Sequence, residues 1–216
     1  MKVKKVILLN LITLSICAFS IILYLWGQKE IAAAARAYAT SNAKQISTAL
    51  RDFKTAYGNY PDQTTAPLAA AKMEIQLDTH TKSSNARFRQ LLQAYPTISE
   101  PIFFAKTSHT FKPDGAIEPG EAIKPGECGF AYIENVRTDD GIPRPIAIAP
   151  ASLTNGKFEY DPFRGKAVVL WTDGSVSSLL IDRSTNHVML DGKNLFDPMH
   201  PIWAGTEPRL LMPEGK

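Results

Sequence analysis

The sequence predicts an α+β protein: one long N-terminal helix, transmembrane then amphipathic, packed on an antiparallel β-meander with one or two short helices. Three observations predict it. No proline precedes Pro61, and Gly27 is the only glycine before Gly58, so the first 57 residues read as one uninterrupted helix. The run "GNYP" then sets Gly58, Asn59 and Pro61 within four positions. Beyond it, short apolar runs rich in β-branched residues alternate with turn signals, the clearest being Asp173-Gly174.

The helix begins as "VILLNLITLSICAFSIILYLW", Val6 to Trp26, with no charged residue. At the standard rise it covers roughly 30 Å, the thickness of a bilayer core. Asn10, Thr13, Ser15 and Ser20 are neutral and can bond along the helix. Tyr24 and Trp26 stand at the far end, where amphipathic rings favour the headgroup layer. Lys2, Lys4 and Lys5 stand at the near end, which places the N-terminus in the cytoplasm. A cleaved secretory signal shares the basic start. Its apolar run would be shorter, however, and would end in small residues rather than Tyr24 and Trp26.

Those three lysines are the only charges before Lys29. Removing them from the 24 basic residues leaves 21, against 21 acidic ones. The rest of the chain is therefore neutral overall and lacks the basic footprint of a nucleic-acid binder. Cys17 lies in the apolar run and Cys128 in a distant loop, so an intrachain disulfide is excluded, and the four scattered histidines offer no zinc spacing.

From Ile31 to Tyr57 the helix continues on alanine-rich sequence. Ile46, Ala49, Leu50, Phe53 and Tyr57 fall on one apolar stripe, while Lys44, Ser47, Arg51, Asp52 and Lys54 lie mostly off it. The half nearer the membrane shows no such clear stripe. The whole is a rod of about fifty residues, or about 75 Å. Gly58 supplies the left-handed residue that closes a helix, and Pro61 forbids its resumption. The chain thus divides into residues 1–27, a basic start and membrane helix; 28–60, a stalk; and 61–216, a head with a proline-rich tail.

In the head, Pro67 to Ala71 can open a short helix, and "KMEIQLD" after it can be a strand. "SSNARFRQLLQAYP" is a helix capped by Ser83 or Ser84, with Phe88, Leu91, Leu92 and Tyr95 on its apolar face and Pro96 as its stop. Arg87, Arg89 and Gln90 read as its solvated face. "PIFFAK" is a strand candidate, and Pro113 to Gly126 a surface loop. Strands follow in "GFAYIENV", "RPIAIAP", "KAVVLWT" and "SVSSLLID", with "NHVML" as a short edge. Across the Asp-Gly hairpin, Val168, Leu170 and Thr172 share a face opposed by Val176, Ser178 and Leu180. The last twenty residues read as coil, with Trp203, Leu210 and Leu211 tucked onto the sheet. A sheet with one apolar face needs a cover, and the stripe on the long helix, Ile46, Leu50, Phe53 and Tyr57, is the predicted one. Phe103, Phe104 and Phe111 flank the long loop and are read as its anchors rather than as an adhesive patch.

At "ALRDFKTAYGNYPD" and again at "YDPFRGKAVVLWTDGSV" the chain resembles the type IV pilin-like and type II secretion pseudopilin group. The first matches the aliphatic, spaced aromatics and Gly-x-Tyr-Pro of that group, and the second its Asp-Pro-aromatic turn and Asp-Gly hairpin. The resemblance implies a non-enzymatic subunit or accessory of a type IV pilus or type II secretion system. Its setting would be the bacterial inner membrane, crossed once, with the head periplasmic or extracellular. Its partners would be the lipid bilayer and other pilin-like subunits or platform proteins. Val6, Leu14, Ile21 and Trp26 would then belong to the membrane and assembly surface. Two features depart from the group: no glycine precedes Gly27, and no carboxylate lies between Val6 and Trp26. Neither a processing site nor an assembly glutamate can therefore be carried over. An adhesin or ligand-binding domain tethered to the membrane is the alternative.

Some members of the group bind calcium in a C-terminal loop. Asp182, Asn186, Asp191, Asn194 and Asp197 offer hard oxygen ligands there, although Asp and Asn are also ordinary turn residues. No other cofactor is expected. "WTDGSV" lacks the G-x-S-x-G of a nucleophile elbow, no pattern sets a nucleophile beside His187 or His200, and "PDGAIEPGEAIKPGECG" is no phosphate loop.

Overall fold

The computed structural model describes residues 2–73, 81–95 and 97–215, with side chains from residue 13 onward. Helix α1 runs unbroken from Lys2 to Tyr57, 56 residues. It stops where the sequence predicts. Gly58 takes φ +82°, and its N–H donates to the Lys54 carbonyl at 2.8 Å. The rest of "GNYPD" starts the head. Asp62 Oδ1 accepts from the N–H groups of Thr64 (2.8 Å) and Thr65 (2.7 Å), which opens α2, Thr65–Met73. The Tyr60 hydroxyl donates to the Thr172 carbonyl at 3.2 Å and ties this junction to the sheet. The strand expected in "KMEIQLD" falls largely on residues 74–78, and the proline stop on Pro96, both outside the described residues. Helix α3, Ser84–Ala94, is capped by the Ser83 hydroxyl, which accepts from Ala86 N at 3.1 Å.

Seven antiparallel strands form one sheet: β1 Ala131–Glu134, β2 Pro145–Ala149, β3 Lys166–Trp171, β4 Val176–Ile181, β5 Val188–Leu190, β6 Lys193–Asn194 and β7 Arg209–Leu211. Their order is β6-β5-β4-β3-β2-β1-β7, a meander closed at one edge by the last strand. Gly174 takes φ +85° at the β3–β4 turn. The expected register holds, with Val168 opposite Ser178 and Leu170 opposite Val176. Leu180 is exposed.

Four expectations are corrected. "PIFFAK" is not a strand: Glu100–Phe103 is a 3-10 turn with Pro101, which cannot donate, in its first positions. The C-terminal tail is not all coil, because β7 pairs with β1 from Tyr132↔Leu211 to Glu134↔Arg209. The sheet buries both faces rather than one, and β1 and β2 are buried along their whole length. Phe53, Phe88, Tyr132, Val168 and Leu170 fill the core on the α1 side, while Ile148, Phe158, Val169 and Trp203 fill the other.

Finally, Arg87 and Gln90 are buried, not solvated, because α3 is covered on more than its apolar face. Arg87 pairs with Glu134. The Gln90 amide oxygen, turned toward α2, accepts from Ala66 N at 3.0 Å. Arg89, partly buried, donates to the Ile123 carbonyl and to Glu214, both at 2.8 Å. The 113–126 segment has no helix or strand, as expected, yet it buries Ala122 and Ile123.

Candidate functional site

The first half of α1 is a chemically distinctive surface. Between Thr13 and Ile31 every large apolar side chain, from Leu14 through Ile21 and Trp26 to Ile31, is at least half exposed. They occupy consecutive positions, Ile21 to Trp26, so the exposure runs round the whole circumference rather than along one stripe. No charge interrupts the helix from Thr13 to Gln28. Apolar surface of this extent is not left to water in a stable protein. By length and composition the helix can cross a membrane. Val6 lies within α1, and its side chain is outside those described.

Burial begins at Ala32. Ala39, Ala43, Ile46, Leu50 and Phe53 then form a buried line down α1, and Tyr57, half-buried, sets its ring 4.4 Å from that of Phe53. The alanine-rich part, which shows no such clear stripe in sequence, packs as well: its small side chains admit the 3-10 turn at Glu100–Phe103. Asn42 holds that turn. Its amide Nδ2 donates to the carbonyls of Pro101 (3.0 Å) and Phe104 (2.9 Å). The sequence reading missed Asn42, although a poor helix former in an alanine-rich run was a usable signal.

The three phenylalanines around the long loop have separate contacts. Phe103 is core and stacks on Phe88, with centroids 4.8 Å apart; Phe104 meets Tyr38 edge-on. A Cβ at Gly126 would collide with the ring of Phe111, so glycine is needed there at φ +90°.

The five oxygen-bearing residues considered for calcium sit in the turns and short strand that follow β4. Asp182 Oδ1 accepts from the N–H groups of Ser184 (3.0 Å) and Thr185 (2.8 Å) and from both hydroxyls, which holds its carboxyl down to about 2. Asn186 and Asp191 adopt left-handed φ of +58° and +50°. Asn194 and Asp197 accept from Phe196 N and Met199 N.

A different group of carboxylates converges among the described residues: Glu100, Asp114 and Glu127, with oxygens within 4.8 Å of one another. Backbone donors already occupy them. Glu100 accepts from Gly115 N at 2.7 Å and from Ile123 N, and Glu127 from Lys124 N at 2.6 Å. Asp114 accepts from Lys124 Nζ at 2.8 Å. Burial, with the charges of Glu127 and Asp114 adding to it, pushes the Glu100 carboxyl above its ordinary range despite those backbone bonds. The arrangement works as a strut that folds the 113–127 loop inward.

Three other groups of interest for chemistry have structural contacts. His187 lies 3.1 Å from Lys157 Nζ, and burial, helped by that charge, lowers its pKa. His200 Nδ1 accepts from Ile202 N at the 3-10 turn Pro201–Trp203. Cys128 is buried, which pushes its thiol up to about 12, and Cys17 is exposed on α1; both are free. The interior also holds a pairing invisible in the sequence. Glu134 lies between Arg87 and Arg209, with Arg209 Nε at 3.2 Å, while Arg87 Nη1 and Nη2 and the Tyr132 hydroxyl have no hydrogen-bond partner among the described residues.

The fold and this surface define an α+β protein built on a two-part helix. No family model, no curated protein and no solved structure matches the chain.

Proposed function

We propose that this chain is a membrane-anchored, pilin-like subunit or accessory of a type IV pilus or type II secretion system. It crosses the bacterial inner membrane once, with a cytoplasmic N-terminus and the head on the far side. One observation carries the reading: a single unbroken helix is apolar and exposed all round in its first half, then becomes the spine beneath an antiparallel sheet in its second. Such a helix can hold lipid or sister helices at one end while presenting a rigid head at the other. The sequence resemblance at "ALRDFKTAYGNYPD" supports the same reading. Its role is assembly rather than catalysis.

The second reading, a tethered adhesin or ligand-binding domain that does not polymerise, is favoured by one specific feature. No carboxylate lies between Val6 and Trp26, and the first acidic residue is Glu30. The helix therefore offers no anionic contact to a neighbour's N-terminus.

The chain carries its own probe. Cys17 is exposed on the apolar half while Cys128 is buried and inert. With Phe19→Cys added, each helix presents two exposed thiols on nearly opposite faces, and oxidative crosslinking in native membranes should give ladders of trimers and larger species. Monomers and dimers alone would overturn the subunit reading and leave the tethered domain.

A further inference from the structure

Where the two halves of α1 meet, a cleft of about 830 Å³ opens between the helix and the base of the head. That is within the range of about 300–1,000 Å³ usual for small-molecule sites. Its helix wall is made by Tyr24, Leu25, Gln28 and Ile31. Tyr24 and Leu25 belong to the last turn of the apolar run, so a bilayer that takes Val6 to Trp26 sets this cleft at headgroup depth.

The head wall is polar and carries charges of both signs. Lys106, Asp161 and Arg164 line it, all three exposed, and their side chains make no hydrogen bond or ion pair among the described residues. Glu159 also lines it but is occupied: it accepts from Ser108 N (2.6 Å) and Oγ (2.7 Å) and faces His109 Nδ1 at 3.2 Å. The turn that presents Asp161 and Arg164 is fixed from below. Phe163 is buried in the core, Arg164 N donates to the Asp161 carbonyl at 3.1 Å, and Gly165 N donates to the Tyr160 carbonyl at 2.7 Å. Arg164 itself holds φ +51°, a conformation that a long side chain rarely adopts.

From this geometry we infer that the cleft receives the headgroup of a zwitterionic aminophospholipid of the surrounding bilayer. Lys106 and Arg164 take the phosphate, and Asp161 takes the primary ammonium. The inference rests on the membrane reading above. The choice of headgroup follows from the charges. A purely anionic headgroup would satisfy the two cations but leave Asp161 beside like charge. A quaternary choline has no N–H to give the carboxylate. A headgroup with a phosphate and an ammonium matches all three, and its acyl chains continue along the apolar half of α1. Such a lipid would fix the tilt of the head on the membrane.

The test is native mass spectrometry of the full chain released from detergent, with phosphatidylethanolamine, phosphatidylcholine or phosphatidylglycerol added at equal concentration. The expected result is retention of one phosphatidylethanolamine, about fivefold above either other lipid, the scale of one lost ion contact. Asp161→Asn should bring phosphatidylethanolamine down to the phosphatidylcholine level. Lys106→Ala and Arg164→Gly should each weaken retention of all three; glycine keeps the left-handed turn intact. Equal retention of the three lipids overturns the inference, and so does a preference for phosphatidylglycerol that Asp161→Asn improves. Flotation of the same proteins with liposomes separates the two levels. If the wild type and variants float alike while selectivity is missing, only the headgroup site falls. If the wild type does not float, the membrane reading falls and the headgroup site with it.

Discussion

The two halves of α1 have the same backbone and meet opposite surroundings. From Thr13 to Ile31 the large apolar residues are exposed on every side; from Ala32 to Tyr57 one line of residues is buried and the opposite face carries Lys44, Arg51 and Asp52. Hydrogen bonding along the helix does not register the change, since α1 is continuous across it. Side-chain size does. The head begins where bulky residues give way to alanines, because small side chains let the Glu100–Phe103 turn approach the helix axis. The difference teaches that the boundary is drawn by packing and not by a break in the helix.

The sharpest way to break that comparison is a matched pair of truncations. Phe53 is fully buried among Phe88-side core residues, whereas Phe19 is exposed. Phe53→Ala should cost the head about 3–5 kcal/mol, the usual range for emptying a core phenylalanine site. Phe19→Ala should change it by less than about 0.5 kcal/mol, as exposed substitutions do. Urea denaturation of the full chain in detergent, followed by Trp171 and Trp203 fluorescence, measures both. Equal effects would mean that the second half is no spine.

Next in size comes Asn42. Replacing it by Ala leaves the Phe104 carbonyl without its side-chain donor and the Pro101 carbonyl with only Phe104 N, at 3.2 Å. The cost should be about 1–3 kcal/mol. In the same denaturation experiment, a change under about 0.5 kcal/mol would show that alanine packing alone seats the 3-10 turn.

These contacts also show what could be read in advance. The rod, its stop at Gly58, the Ser83 cap and the Asp173-Gly174 hairpin are local, and each is set by residues within a few positions of one another. What the sequence hid was long-range. Arg87 and Gln90 look like solvent positions on a helix wheel. Arg87 is buried because Glu134, distant along the chain, meets it, and Gln90 because α2 packs against that side of α3. "PIFFAK" has strand composition but lies on α1, where Asn42 claims its carbonyls. β7 is three residues inside a proline-rich tail, too short for any periodicity to mark. The cleft joins residues 24–31 to residues 106 and 159–164, so no single stretch could announce it.

The smallest expected effect is a pH slope confined to the packed half, through Glu100 in the turn that rests on α1. Its carboxyl is raised in the folded protein, by burial first and then by Glu127 and Asp114. A raised folded value means that the native state binds the proton more tightly than the unfolded chain does. The Glu100 contribution is therefore complete below the ordinary carboxylate range and is lost as pH rises through the elevated value. Asp182 acts in the opposite sense. Its carboxyl is held down to about 2 by the Ser184 and Thr185 donors, so its contribution is complete above the ordinary range and fades as pH falls toward 2. Denaturation midpoints of wild type and Glu100→Gln, taken at steps from pH 4 to pH 8, isolate the Glu100 contribution. Upward through this window the wild type should lose stability relative to the variant, whose amide cannot titrate. A constant difference between the two would show that the backbone donors of Gly115 and Ile123 fully offset burial. The slope should also be absent from any probe of residues 13–29, where no carboxylate lies to feel the change.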